Sequence, residues 1–181
     1  MGKAYKKTTR YKCLGHISYQ GKAFGEAGRL LVESGENKLF VPGMINVCLS
    51  AEIFLKSINA FTEYEEDELD INGTKIYQGR DGTFKTSPGG RGHSLSKLFD
   101  NLPCEAKAEI VELAKNEGYS GCVSSGLKKY DDVFIEWRYI YETNTPETLG
   151  THPLFQIVDA IYKYCENNRD QVIDCIAEKL Q

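Results

Sequence analysis

The chain lacks the short motifs that announce most catalytic chemistries, and each gap removes a class of function. Its three histidines, His16, His93 and His152, lie far apart. They show no HExxH spacing and no cysteine pair completes a site, so neither a metal nor any other cofactor is expected. There is no GxSxG nucleophile elbow and no P-loop ending in lysine and serine or threonine. The six cysteines, Cys13, Cys48, Cys104, Cys122, Cys165 and Cys175, form no CxxC pair. Several fall on apolar helix faces, so they read as reduced core residues of a cytosolic protein. A net charge of -4 gives no global basic field of the kind that binds nucleic acid non-specifically. No apolar run approaches the roughly 18 uninterrupted residues of a membrane helix. The N-terminal MGKAYKKTTRYKC is basic and polar, with no apolar signal region behind it. The expectation is a cytoplasmic chain with no membrane partner.

What is present fits one globular domain. Hydrophobic residues make up 41% and charged residues 27%, a balance that supports a packed core, and 181 residues suffice for a single one. The basic run Lys3, Lys6, Lys7, Arg10 and Lys12 reads first as a solvated tail and second as a local nucleic-acid patch. Ala23, Phe24, Ala27, Leu30 and Leu31 recur at helical spacing over Ile17 to Ser34, with Gly35 as terminator. From Pro42, where a helix can begin, Met44 to Phe61 is apolar almost all the way round and belongs at the centre of a bundle.

Between Glu63 and Gly92 the pattern changes. The acidic run EYEEDELD leads into a glycine-rich stretch with two turn signals, Asn72-Gly73 and Asp81-Gly82. This reads as an insertion between helices, with at most a small hairpin near Thr74 to Lys85. Helical periodicity resumes at Ser94 and stops at Pro103. It returns from Cys104 to Asn116 and is strongest from Leu127 to Tyr141, through Tyr130, Val133, Phe134, Trp137 and Ile140. A last helix uses Phe155, Val158, Ile161, Tyr162 and Cys165, with a continuation through Val172, Ile173, Ile176 and Leu180. The fold class expected is mainly α, a helical bundle with a small β-hairpin or loop insertion.

Polar groups on the central helices are the candidate site. Glu52 and Lys56 stand four apart on the most apolar helix, in the order that favours an ion pair. Arg138 flanks Trp137, and Glu142 follows one turn on. In a bundle these four form either one polar cleft or a set of stabilising salt bridges. Gly89-Gly90-Arg91-Gly92-His93 is either a plain flexible loop or a means of bringing backbone amides and Arg91 to a phosphate.

The segments AEIFLKSINAF (Ala51 to Phe61), GHSLSKLFDNLP (Gly92 to Pro103) and VFIEWRYIYE (Val133 to Glu142), in that order, resemble HEPN-domain proteins, helical bundles named for nucleotide binding in higher eukaryotes and prokaryotes. The resemblance implies an up-and-down bundle that often dimerises and serves toxin-antitoxin, phage-defence or RNA-processing systems. It also implies, for many members, a metal-independent ribonuclease with an arginine, four to six residues and a histidine on one helix. Here no histidine follows Arg138 until His152, so the usual motif is absent and His93 is the substitute from another segment. Arg138, His93 and Glu142 are the catalytic candidates, and Arg138, Arg91, Lys56 and Glu52 the ligand-binding ones. Two classes stay open: an RNA- or nucleotide-binding protein, catalytic or degenerate, and a non-catalytic adaptor for another protein. Homodimerisation follows from the resemblance, helped by Phe155, Tyr162 and Tyr164, which cannot all face one core stripe.

Overall fold

In a computed structural model, residues 3–12, 15–78, 85–87, 91–133, 137 and 150–179 are described. After strand β1 (Lys3–Lys12), helices α1 (Gly15–Glu33) and α2 (Asn37–Asn59) form an antiparallel pair turned at Gly35, whose φ of +72° suits glycine. The sequence reading put the apolar residues of α1 inward. Instead Gly15, Ser18, Gly21, Gly25 and Gly28 are buried, and Phe24 and Leu30 are exposed. The reason is the closeness of α2. A Cβ on Gly28 would meet the Gly43 carbonyl oxygen at 2.7 Å, and one on Gly43 would meet the Gly28 carbonyl oxygen at 2.9 Å. Ser50 Oγ donates to the Gly21 carbonyl oxygen at 2.6 Å, so the two backbones are also bonded across the contact.

Pro42, expected at the start of α2, lies inside it. Five helical residues precede it, so it lies just past the first four amides and forgoes one bond, to the Lys38 carbonyl, in the second turn of the helix. By length and composition α2 could cross a membrane, yet its apolar residues Met44, Val47, Ala51, Phe54 and Leu55 lie in the core.

The remaining helices build the rest of the core on α2, directly or through one another. They are α3 (Leu95–Asp100), α4 (Cys104–Asn116), α5 (Val123–Lys128) and α6 (Thr151–Asn167). Their Leu95, Ile110, Leu127, Leu154, Ile157 and Ile161 complete one core cluster with α2. The periodic stretch expected as a helix from Leu127 starts inside α5, which ends at Lys128, and residues 129–132 are a turn. Val133 and Trp137 beyond it are buried, as the stripe required. Phe155 and Tyr164 are buried and Tyr162 is half-buried against Phe54, so this aromatic load is largely absorbed within the chain. Of the cysteines, Cys48 and Cys165 are buried while Cys104, Cys122 and Cys175 are exposed; Cys13 and Asp81-Gly82 lie outside the described residues.

The fold is mainly α with a small antiparallel sheet, but that sheet exceeds the expected hairpin. Strands β2 (Phe61–Ile71), β3 (Thr74–Gln78), β4 (Lys85–Ser87) and β5 (Gln171–Lys179) join β1 in the order β3-β2-β1-β5, with β4 also on β2. The basic run is therefore a strand rather than a tail. Its register sets Lys3 opposite Asp70, Lys6 opposite Asp67, Lys7 opposite Glu66 and Arg10 opposite Glu63, which explains the acidic run as its partner. Arg10 donates to Glu63 at 2.8 Å and to Asp174 of β5 at 3.3 Å. The expected continuation of the last helix is β5, because Val172, Ile173 and Ile176 are β-branched and β1 offers them an edge. Asn72 and Gly73 both have positive φ, the two-residue turn that their sequence announces.

Two outcomes follow. Gly28→Ala gains about 1 kcal/mol of helix propensity but must push α2 away, so it destabilises by about 1–3 kcal/mol net. A urea melt of the variant reads this, and an unchanged or higher midpoint would contradict the close contact. The second concerns alkaline pH. Burial, aided by the charge of Glu52, pushes the Cys48 thiol up from 9.0 to about 12. Burial also lifts the Tyr130 phenol from 10.0 to about 12, with its hydroxyl donating to the Gly150 carbonyl oxygen at 2.5 Å. Both folded values are raised, so this stability is complete below the unfolded values and is lost as pH rises toward 12. Cys48→Ala combined with Tyr130→Phe flattens that limb of the stability profile, and an unaltered slope would refute the assignment.

Candidate functional site

At about 100° per residue, Glu52 stands half a turn round α2 from the Gly43, Val47, Ser50 and Phe54 row that faces α1. It is thus directed away from the helix pair and toward the segment that precedes α3. Its carboxylate is only 8% exposed and has two cationic or protonatable neighbours. Lys56, one turn on, donates from Nζ to Oε1 at 2.7 Å. His93 brings Nδ1 to 3.0 Å from Oε1 and 3.1 Å from Oε2. A carboxylate only accepts, so Nδ1 carries the proton and Nε2 is the basic nitrogen of the neutral ring. The imidazole is 49% exposed.

The placement of His93 depends on a second carboxylate. Ser94 caps α3, its Oγ accepting from the Lys97 amide. Asp131, just beyond α5, accepts from Ser94 Oγ at 2.9 Å, from the Ser96 amide at 2.8 Å and from Ser96 Oγ at 2.6 Å. These three bonds tie the first turn of α3 to the end of α5, and His93 is the residue just before the tied turn. Exposed Arg91, Lys97, Lys128 and Lys129 lie on the same short segments, with Asp100 and Asp132 as exposed carboxylates among them.

Three of the residues selected from sequence, Glu52, Lys56 and His93, therefore meet at one point. Arg91 is exposed two residues from His93. Arg138 and Glu142 lie outside the described residues. Trp137, which precedes Arg138, is buried with its ring centroid 5.9 Å from that of Phe40. Phe40 is twelve residues before Glu52, or about 18 Å along α2. His152 pairs with Gln156 on α6. Sequence reasoning missed Ser94, Ser96 and Asp131. The cap was legible in the serine before Leu95, but Asp131 carried no local signal, because its partners are 35 and 37 residues away.

Among the described residues no group of three or more histidine, cysteine, aspartate or glutamate side chains could hold a metal ion. A separate cleft of about 120 Å³ between α1, α2 and α6 is lined by Lys22, Glu26, Arg29, Asp159 and Tyr162. Its charges are matched internally, Arg29 with Asp159 at 2.5 Å and Lys22 with Glu26 at 3.8 Å. Compared with protein-family models, curated proteins and solved structures, the chain matches none.

Asp131→Ala strands the Ser96 amide and hydroxyl, both in a buried residue, and costs about 2–4 kcal/mol. Chemical denaturation measures it. A variant as stable as the parent would mean that Asp131 does not hold this corner.

Proposed function

We propose that the chain is a HEPN-like protein that binds RNA or nucleotide phosphates at the Glu52, Lys56 and His93 corner and cleaves RNA there without a metal. The observation that carries the reading is the meeting of an ammonium and a half-exposed imidazole on one buried carboxylate. Glu52 orients the ring and fixes its tautomer, as a carboxylate does behind a general base. Lys56 and Arg91 supply positive charge for a phosphate, helped by Lys97, Lys128 and Lys129 nearby. The ribose 2′-hydroxyl attacks phosphorus and the bond to the 5′ oxygen breaks. His93 takes the hydroxyl proton and passes it to the departing 5′ oxygen, leaving a 2′,3′-cyclic phosphate and a 5′-hydroxyl. Arg138 keeps the role that the resemblance implies, stabilising charge on the phosphate, with Glu142 as its carboxylate neighbour in sequence.

A second reading is a non-catalytic adaptor for a protein partner. It is favoured by Val172, Ile173 and Ile176, exposed on β5 at the end of the strand order. Under that reading His93→Ala changes nothing.

The two part in one set of assays with a short single-stranded RNA in chelator. His93→Ala abolishes cleavage while binding stays within about threefold. Lys56→Ala and Arg138→Ala each weaken binding about tenfold, near 1.4 kcal/mol, with melting temperatures little changed. Wild-type protein that neither binds nor cleaves RNA, with an Arg138→Ala variant that melts far lower, would make Arg138 a structural ion-pair partner and end the proposal.

A further inference from the structure

Strand β5 stands at the end of the order β3-β2-β1-β5, so among the described residues it pairs on one side alone, with β1. Its other edge presents a row of backbone N–H and C=O groups, a template for one more extended chain. Edge strands are usually guarded by proline, lysine or a cover, and Gln171 to Glu178 contains neither proline nor lysine. It carries Val172, Ile173 and Ile176 instead, 57%, 52% and 44% exposed.

The register slips between Arg10 and Tyr11, which makes Ile173 an extra residue on β5. Such a bulge interrupts regular pairing and re-aims side chains. Here two consecutive residues, Val172 and Ile173, border one open cavity of about 470 Å³, walled further by Ile58 and Ala60 at the end of α2 and by Pro103 before α4. The size falls within the range of small-ligand clefts, roughly 300–1,000 Å³, and these walls are apolar.

A single charge borders that space. Lys12 lines the cavity, and among the described residues no carboxylate pairs with it. Lys3, Lys6, Lys7 and Arg10 each stand opposite an acid of β2, whereas the cross-strand neighbours of Lys12 are Phe61 and Gln171. The side-chain amides on the cavity are occupied, Asn59 donating to the Asn101 carbonyl oxygen at 3.4 Å and Gln171 to that of Asn167 at 3.3 Å. An anion is therefore the complement of the cavity's polar side.

A row of strand-pairing groups, an interruption of that row, an apolar cavity at the interruption and one ammonium beside it together match the end of a chain. We infer that β5 takes the C-terminal tail of a partner protein as an added antiparallel strand. The last side chain of the tail is apolar and sits between Ala60, Pro103 and Val172, and the terminal carboxylate pairs with Lys12. Running antiparallel beside Asp174 to Lys179, such a strand ends at the foot of β5, where the cavity lies. A fatty acid fits the cavity and Lys12 but leaves the edge row unmet. The inference gives the protein-partner reading of β5 a partner chemistry without resting on an inert His93, since one chain can cleave at that corner and hold a tail at this edge.

An array of synthetic heptapeptides with free C-termini, varied over the last four positions and probed with the full chain, tests it. Binders end in valine, isoleucine, leucine or phenylalanine, and amidating the terminus of a binder weakens it tenfold or more. Lys12→Gln removes the difference between acid and amide. Val172→Glu, at an exposed position that keeps the melt near the parent's, weakens the acid tenfold or more. N-methylation at alternate residues of a binder abolishes binding in one phase and spares it in the other, because alternate amides of a strand face the same neighbour. An array without binders, acid and amide bound alike by the wild type, both methylation phases tolerated, or decanoate bound in place of every peptide overturns the inference. So does a wild-type dimer, broken by Val172→Glu, that binds no peptide.

Discussion

Helices α1 and α2 meet backbone against backbone, with no room for a side chain where Gly28 faces Gly43. Most of what distinguishes the fold follows from it. Because α1 is read by α2 through glycine, α1 adds almost no side-chain volume to the core. The work of burial falls to α2, whose Phe54, Met44 and Leu55 are fully covered by the other helices. The contact also fixes which side of α2 faces α1. It thereby directs Glu52 to the opposite side, where His93 and Lys56 meet it. The same constraint leaves the apolar side chains of α1 outside. Candidate site and exposed helix face are thus two consequences of one glycine row.

Charge is distributed with similar economy. The basic first strand would be an attractive nucleic-acid patch if it were free, but it is set in register against the acidic run of β2 and, through Arg10, against Asp174 of β5. The Arg10 pairs are half-exposed and contribute little each, but the register of opposite charges specifies which strands pair. On the helical side of the molecule, Arg91, Lys97, Lys128 and Lys129 are exposed on the segments next to the Glu52–Lys56 pair. This contrast, more than net charge, supports the proposal that a phosphate binds at the Glu52 corner.

Much of this was legible in the sequence. The positions of α2, α3, α4 and α6, the turn at Asn72-Gly73 and the ion-pair spacing of Glu52 and Lys56 all depend on local rules of periodicity, capping and turn chemistry. The face of α1 was misread because apolar spacing normally marks the buried side; the glycines at 21, 25 and 28 carried the opposite signal, which only the nearness of α2 makes decisive. The strands at the two ends of the chain were missed for a related reason. A basic segment near residue 3 and an acidic one near residue 70 look solvated separately and become a pair only when the chain folds. Asp131 was invisible for the same cause, since three of its hydrogen bonds reach back to α3.

The central claim is that Glu52 holds the His93 imidazole by Nδ1 at a corner that takes a phosphate. Nitrogen-15 NMR of the histidine side chains, recorded with and without a short single-stranded RNA carrying a non-cleavable 2′-deoxy linkage, tests it directly. The account predicts that in the free protein the neutral His93 ring carries its proton on Nδ1, and that its Nε2 resonance moves on adding RNA while that of His152 does not. A His93 ring protonated on Nε2 alone, or one whose signals ignore saturating RNA, would contradict it.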